Sequence, residues 1–101
     1  INRNWNARCV VLGDFNIDSI TAYSDDGSAD YRLYTRLIRI GMGNNAVWYD
    51  INARVHAGRP IRTTANKAID HHLVAGETPT GATFSAHSTP HSDHYLTVST
   101  W

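Results

Sequence analysis

Cysteine is nearly absent from this sequence, which excludes one common way of stabilising a small domain. The 101 residues contain one cysteine, Cys9, so no disulfide can form within the chain. Cys9 opens an apolar run at residues 9–12, where a small buried side chain is favoured over a catalytic thiol. Charged residues make up 18% of the chain, and this moderate charge argues for one small folded domain rather than disorder.

Net charge is the second thing this chain lacks. Lys plus Arg and Asp plus Glu both total 9, so the formal charge is zero and no overall basic field attracts nucleic acid. A polyanion could still bind locally, because Arg54, Arg59, Arg62 and Lys67 form a loose basic stretch without acidic neighbours. An ordinary solvated loop is the alternative interpretation of these four residues.

Long apolar runs are missing as well. No stretch is long enough to span a membrane, and we expect no secretory signal peptide. The chain opens at Ile1 rather than methionine, which we interpret as the sign of a fragment, a processed product or an edited sequence. We expect a soluble protein, with secreted and cytoplasmic locations both open.

Hydrophobic periodicity predicts strands and one main helix. An apolar run predicts a strand at residues 8–12, followed by a polar loop with a short helical turn at 19–23. Apolar spacing predicts a helix at 30–40, capped by Asp30. Further strands are predicted at 68–75, 83–87 and 95–101, with a polar loop at 88–93 and a short strand or packed loop at 46–49. This order indicates an α+β or mixed α/β arrangement.

Asp14 and Asn16 follow the first predicted strand and form the first candidate site. Side chains two residues apart on an extended segment point the same way, so both can reach one ligand. A carboxylate and an amide suit a hard cation or a phosphate. The alternative is a turn rich in Asp and Asn that ends the strand.

Asp93 and His94 precede the last predicted strand and form the second candidate. Both side chains can reach one site only if the chain turns there, and Pro90 and Ser92 favour such a turn. A histidine near a carboxylate gains basicity and orientation, as a general base or phosphate binder requires. A solvated histidine in a surface loop is the alternative.

Asp70 lies within an apolar predicted strand, where a carboxylate is costly unless it is paired. Asp70 therefore needs a partner, for which a histidine is well suited, or it occupies an exposed edge. His71 and His72 follow it and raise the question of zinc. Adjacent histidines on a strand diverge, and no other His or Cys lies at a usual ligand spacing, so a structural zinc site is disfavoured.

Three motifs in order resemble one family. They are GDFN at residues 13–16 after an apolar strand, an Ile-Asp pair at 69–70 inside the strand predicted at 68–75, and SDH at 92–94 before the last strand. Their order and spacing resemble the endonuclease/exonuclease/phosphatase superfamily, which includes DNase I-like nucleases, exonuclease III-like repair enzymes, sphingomyelinases and inositol polyphosphate phosphatases. The resemblance covers residues 8–101.

The resemblance implies an α+β fold that is the C-terminal half of a four-layer, DNase I-like sandwich, with mostly antiparallel or mixed sheets and a flanking helix. Residues 1–101 would then be the C-terminal part of one such domain, with its N-terminal half absent. In the family that half supplies a metal-binding Glu, and only seven residues precede the first predicted strand. We therefore expect little or no activity from this piece alone.

The resemblance also implies a divalent-metal-dependent phosphodiesterase, with Mg²⁺ or Mn²⁺ as the cofactor. Asp14 would orient or deprotonate water, Asn16 would bind the phosphoryl group, and His94 would act as a base or phosphate ligand held by Asp70. Asp93, with Asp14, would bind the metal.

A nuclease is the favoured interpretation of this implied activity, with Arg62 in contact with the substrate. A phosphatase, a sphingomyelinase-type phospholipid phosphodiesterase and a non-catalytic binding or association fragment are the alternatives. Expected partners are a nucleic acid or other phosphodiester, and either the N-terminal half of the domain or a second copy.

Overall fold

The computed structural model describes residues 9–38, 48–76 and 78–101. Within them the chain forms an antiparallel three-stranded sheet, a separate β-hairpin and three short helices, which confirms the predicted α+β class. The elements, in chain order, are β1 (Cys9–Asp14), α1 (Ser19–Ser24), α2 (Ala29–Arg36), β2 (Tyr49–Asp50), α3 (Ile51–Val55), β3 (Asp70–Ala75), β4 (Thr83–Thr89) and β5 (Ser92–Thr100).

Strand β3 is the centre of the three-stranded sheet, whose order is β1-β3-β2. Its last five residues, His71 and His72 among them, are buried. The antiparallel register places Cys9 opposite Ala75 at one end and Asp14 opposite Asp70 at the other. Two sequence-distant carboxylates are thus brought to the same end of the sheet.

The two faces of β3 carry different layers, because successive strand residues point to opposite sides. Leu73 belongs to a core cluster with Trp48 and Ala75, against which Phe15 and Leu37 pack. The neighbouring Val74 belongs to a second cluster. That cluster joins β3 to α3 and the hairpin, and its buried members besides Val74 are Ile51 and Phe84. We call these the helix side and the hairpin side of β3.

Strands β4 and β5 form an antiparallel hairpin that is longer than predicted. The predicted loop at residues 88–93 is wrong, because pairing continues to Thr89 and Ser92 across a tight turn at Pro90 and His91. Proline lacks the N–H that a ladder requires, so a turn suits it. An irregularity between His87 and Thr89 shifts the register.

The hairpin is joined to the loop before β3 by main-chain contacts. Thr64 and His94 form an antiparallel bridge, and the Tyr95 N–H donates to the Thr63 carbonyl at 2.7 Å. These contacts bring the start of β5 next to the start of β3.

The helix caps differ in part from the prediction. The predicted helical turn at 19–23 is α1, whose first N–H groups are capped by Asp18. Helix α2 is capped by Ser28, whose Oγ accepts from the Tyr31 N–H at 3.0 Å, so the prediction of an Asp30 cap is wrong. Asp30 Oδ1 instead accepts from the Asp18 N–H at 3.0 Å. The predicted end of this helix at residue 40 lies outside the described residues.

Several apolar side chains on the described surface are exposed. Val10 and Leu12 on β1 are 44% and 59% exposed, and Leu96 and Val98 on β5 are 62% and 44% exposed. Among the described helices, none has the length and apolar character needed to cross a membrane.

Candidate functional site

Three of the predicted site residues meet at one end of the sheet. His94 Nδ1 lies 2.7 Å from Asp70 Oδ2, and His94 Nε2 lies 3.7 Å from Asp14 Oδ2. Asp14 reaches this point because β1 and β3 pair in register, and His94 because β5 joins the loop before β3. The Asp14, His94 and Asp70 side chains are 47%, 35% and 17% exposed, so the group is open to a ligand.

Asp14 also shapes the turn that follows β1. Its Oδ1 accepts from the Asn16 N–H at 2.8 Å, while its Oδ2 faces His94. Asn16 has a φ of 52°, a left-handed conformation that asparagine tolerates better than most residues. The prediction of an extended segment from Asp14 to Asn16 is therefore wrong at Asn16, where the chain turns. The turn and the candidate site coexist because each uses a different carboxylate oxygen.

Asp70 is held in place by a threonine that sequence reasoning missed. Thr63 is fully buried, and its Oγ1 accepts from the N–H groups of Ile69 and Asp70 at 3.0 and 3.1 Å. The Thr63 carbonyl accepts from the Tyr95 N–H. One residue therefore sets both the start of β3 and the position of the strand that carries His94. No pattern in the sequence distinguishes this threonine from its neighbour.

The hydrogen bond to Asp70, together with the charge of that carboxylate, raises the pKa of His94 above its ordinary value. Asp14 and Asp93 act in the same direction through their charges. Since an ionised carboxylate only accepts, Nδ1 carries a hydrogen and donates to Asp70. Nε2 then faces Asp14, with a lone pair when the ring is neutral and a hydrogen when it is protonated.

Asp93 and Arg62 lie outside this group. Asp93 is the exposed neighbour of His94 on β5, and among the described residues the cluster suited to a cation consists of Asp14, Asp70 and His94. Arg62 is exposed, and its guanidinium donates to the Ala65 carbonyl at 2.9 Å. It precedes Thr63 and Thr64, so it lies in the loop that contacts His94.

Arg54, another member of the basic stretch, is engaged elsewhere. It lies over the Tyr49 ring, 5.0 Å from the centroid, and its Nε donates to the Pro79 carbonyl at 3.3 Å. Arg54 is therefore fixed against Tyr49 and Pro79 rather than at the candidate site.

The donor set of the Asp14 cluster fits a divalent cation in part. One ligand atom from each of Asp14, Asp70 and His94 lies within 4.8 Å of the others. Ligands at the Mg²⁺ distance are separated by about 3.0 Å when adjacent and about 4.2 Å when opposite. The carboxylates suit Mg²⁺, and the imidazole suits Mn²⁺ somewhat better. A small inward movement of side chains would be required.

His71 and His72 diverge, as predicted for neighbouring strand residues. His72 points to the hairpin side, where its Nδ1 and Nε2 lie 2.6 and 2.9 Å from the hydroxyls of Ser99 and Thr97. His71 points to the helix side, where its Nε2 lies 2.7 Å from the Ile17 carbonyl. The two imidazoles therefore share no ligand.

An open depression of about 430 Å³ adjoins the candidate site. Asp70 and His94 line one part of it, and Leu12 and Leu96 supply apolar surface. A ligand in this depression would contact both the imidazole–carboxylate pair and a hydrophobic wall.

No protein-family model, no curated protein and no solved structure matches this chain.

Proposed function

We propose that this chain carries part of a divalent-metal-dependent phosphodiesterase site, related to the endonuclease/exonuclease/phosphatase superfamily by its three motifs. The observation that carries the proposal is the convergence of Asp14, Asp70 and His94, which come from those separate motifs. A turn or a solvated loop accounts for each motif alone, but neither requires the three side chains to meet.

His94 is the proposed base or phosphate ligand. Asp70 accepts a hydrogen bond from Nδ1 and so presents Nε2 towards Asp14 and the open side of the site. In this orientation, Nε2 can accept a proton from water or, when protonated, donate to a phosphate oxygen. Because the pKa of His94 is raised, the imidazolium form persists to higher pH than in an isolated histidine.

The proposed chemistry also uses Asp14, at the end of β1, and Asn16, in the turn that follows it. Asp14 Oδ2 is exposed and can orient or deprotonate a water, while the exposed Asn16 amide can donate to a non-bridging phosphoryl oxygen. A bound Mg²⁺ or Mn²⁺ would supply neutralisation of charge at the phosphoryl group. Asp14 and Asp70 are the carboxylates that would hold it, with Asp93 close by on β5, while His94 Nε2 stays available to water or phosphate.

A nuclease is the substrate class that we favour. Arg62 lies in the loop that contacts His94 and projects a cation into solvent, where a second phosphate of a polynucleotide could bind. A phospholipid phosphodiesterase is the second candidate, since Leu12 and Leu96 line the depression that contains His94. A phosphatase needs neither the cation nor the apolar wall.

A further unit completes the site in this proposal. The described carboxylates supply two ligands, and Mg²⁺ prefers six oxygen ligands, several of which are waters. Val10 and Leu12 on β1 and Leu96 and Val98 on β5 expose apolar surface, and such surface favours association. The unit is either the other half of the domain or a second copy. Sedimentation over a range of concentrations tests the second copy.

Plasmid nicking tests the proposal, since one cut per molecule is detectable and slow turnover suffices. We expect slow nicking that requires Mg²⁺ or Mn²⁺, stops with a chelator, and falls by about 100-fold or more in Asp14→Ala. Asp26→Ala, at an exposed turn, is the matched control and should nick as the parent does. Equal nicking by Asp14→Ala and the parent would contradict the assignment. A bis-phosphodiester assayed in parallel separates a general phosphodiesterase from a nuclease.

A further inference from the structure

His71 is a fully buried histidine that the proposed chemistry does not use. Its ring stacks on Phe15 with centroids 5.8 Å apart and meets the edge of Tyr34 at 6.0 Å. Its Nε2 lies 2.7 Å from the carbonyl of Ile17, a residue 54 positions away. The imidazole therefore links the middle strand of the sheet to the turn that carries Asp14 and Asn16.

The contact defines one hydrogen position on the ring. A carbonyl oxygen only accepts, so Nε2 must carry a hydrogen and donate to Ile17. Nδ1 is buried without a hydrogen-bond partner among the described residues, and the nearest ionisable atom facing it is Asp50 Oδ2 at 3.8 Å. The ring is thus held by one hydrogen bond and by its contacts with Phe15 and Tyr34.

Asp50 is itself fixed from two sides. Its Oδ2 accepts from the Tyr34 hydroxyl at 2.7 Å, and its Oδ1 accepts from the Asn52 N–H at 3.1 Å. Burial, together with the charge of Asp50, raises the pKa of Tyr34, so its hydroxyl stays protonated and remains a donor. Tyr34 and Asp50 are therefore hydrogen-bonded to each other and both lie against the His71 ring.

The turn after β1 is attached to β3 and the residues before it on both sides of Asn16, and Asp18 and Ser19 add contacts to Ala68 further along. The Phe15 N–H donates to the Ile69 carbonyl at 3.0 Å, and the Ile17 carbonyl accepts from His71. Asn16 lies between these points in its left-handed conformation. Losing the His71 contact would remove the attachment at Ile17 and leave its part-buried carbonyl without this donor, while the contacts of Asp18 and Ser19 with Ala68 would remain.

We propose that His71 is a positioning residue for the candidate site. Asp70 and His71 are neighbours on β3 and point to opposite faces, so one strand orients His94 on one side and anchors the turn on the other. His71 thereby sets the separation between Asp14 Oδ2 and His94 Nε2, and the direction of the Asn16 amide. This role rests on the proposed phosphodiesterase function, and His71 itself touches no substrate.

Two substitutions separate the hydrogen bond from the packing. His71→Phe keeps an aromatic ring against Phe15 but removes the donor. His71→Gln keeps an amide N–H at about the reach of Nε2. We expect His71→Phe to lower kcat by about 10- to 100-fold with little change in KM, since misplacement by about 1 Å can have an effect of this size. His71→Gln should restore most of kcat.

Hydrogen exchange provides a readout that does not depend on activity. The Phe15 and Asn16 amides, which donate to Ile69 O and Asp14 Oδ1, should exchange faster in His71→Phe than in the parent or in His71→Gln. Amides that pair β4 with β5, such as those around Leu96, should be unchanged. The exchange experiment tests the anchoring role even where the chain alone hydrolyses no phosphodiester, so its failure is distinguishable from failure of the proposed function.

Tyr34→Phe covers the case in which His71→Phe does not fold. This substitution removes the donor to Asp50 and leaves the His71 ring in place. It should raise the exchange rates of the Phe15 and Asn16 amides by a smaller factor than His71→Phe does. Unchanged exchange at Phe15 and Asn16 in a folded His71→Phe would overturn the inference. Faster exchange throughout the chain, including β4 and β5, would also overturn it, because it indicates general destabilisation.

Discussion

Two aspartate–histidine pairs lie side by side in this protein, and they have opposite properties. Asp70 and His94 are joined at 2.7 Å on the open side of β3, whereas Asp50 and His71 face each other at 3.8 Å in the interior. The His94 side chain is 35% exposed, and the His71 side chain is completely buried. The same two residue types therefore form a candidate reactive pair on one face and a structural support on the other.

The difference comes from what each carboxylate already bonds. Asp50 uses both oxygens on Tyr34 and Asn52 and offers His71 no close hydrogen bond. The other aspartate, Asp70, directs its Oδ2 at His94, which raises the pKa of the imidazole. Because the His94 pair is exposed, water, a cation or a phosphate can reach it. The His71 pair is buried and is not accessible to these ligands.

Removing His94 should have the largest effect on the proposed reaction. We expect His94→Ala to lower the rate of phosphodiester hydrolysis by about 10²- to 10⁴-fold, the range for a positioned acid or base. Its unfolding midpoint in urea should change little, because the side chain is partly exposed. His91→Ala, at the exposed turn of the same hairpin, is the control and should retain both properties. Normal turnover by His94→Ala would remove His94 from the mechanism.

Removing Asp50 should have the largest effect on stability. Asp50→Ala removes the closer acceptor of the buried Tyr34 hydroxyl and the cap of α3, so we expect a loss of about 2–4 kcal/mol in the free energy of unfolding. Urea denaturation followed by circular dichroism measures it. Asp26→Ala should change this free energy by less than about 0.5 kcal/mol. A small loss in Asp50→Ala would mean that the interior pair contributes little to the fold.

Asp70→Asn should make the exposed pair behave more like an isolated histidine. The substitution removes the charge that raises the pKa of His94, so this pKa should fall, as an NMR titration of the imidazole would measure. The raised pKa stabilises the folded parent below about pH 6.5, and this contribution is lost as pH rises through the folded-state pKa. Asp70→Asn should weaken that dependence and lower turnover by about 10-fold. An unchanged His94 pKa would contradict the assigned pairing.

Replacing His72 should have the smallest effect of these substitutions. Its effect on the pH dependence of stability should be opposite in sign to that of Asp70→Asn. Burial lowers its pKa, and the charges of Asp50 and Asp70 oppose this only in part. A lowered pKa stabilises the fold above about pH 6.5, and this contribution is lost as pH falls through the folded-state pKa. Urea midpoints at pH 7.5 and 5 should therefore differ less for His72→Gln than for the parent. A His91→Gln control should show the same difference between the two midpoints as the parent. If the difference were equal in the parent and both variants, His72 would not be a source of the pH dependence of stability.

Much of the local structure could be predicted from the sequence because its signals are local. The apolar run before Gly13 and the run after Asp70 became β1 and β3, and the Asx-rich loop formed α1 where a helical turn was expected. The predicted loop at 88–93 was wrong because strand pairing extended further than the apolar pattern. Ser28 rather than Asp30 caps α2 because Asp30 is bonded to the Asp18 N–H.

The candidate site was only partly predictable. Recognisable motifs contain Asp14, Asp70 and His94, but Asp93 also belongs to one of these motifs and lies outside the cluster. Thr63, His71 and Asp50 have no motif, and their importance depends on partners between 6 and 54 residues away. Hydrogen bonds of this kind depend on register and burial, which a periodic pattern does not specify.

The amino-acid sequence by itself determined the α+β class, the apolar strands and the three carboxylate- and histidine-bearing motifs, because these depend on composition and on neighbours in the chain. Only the tertiary structure decided which aspartate meets which histidine. The antiparallel register of β1 on β3 and the bridge from Thr64 to His94 gather one group at the open end of the sheet. The alternation of β3 then sends Asp70 outward and His71 inward, so two adjacent residues acquire different roles.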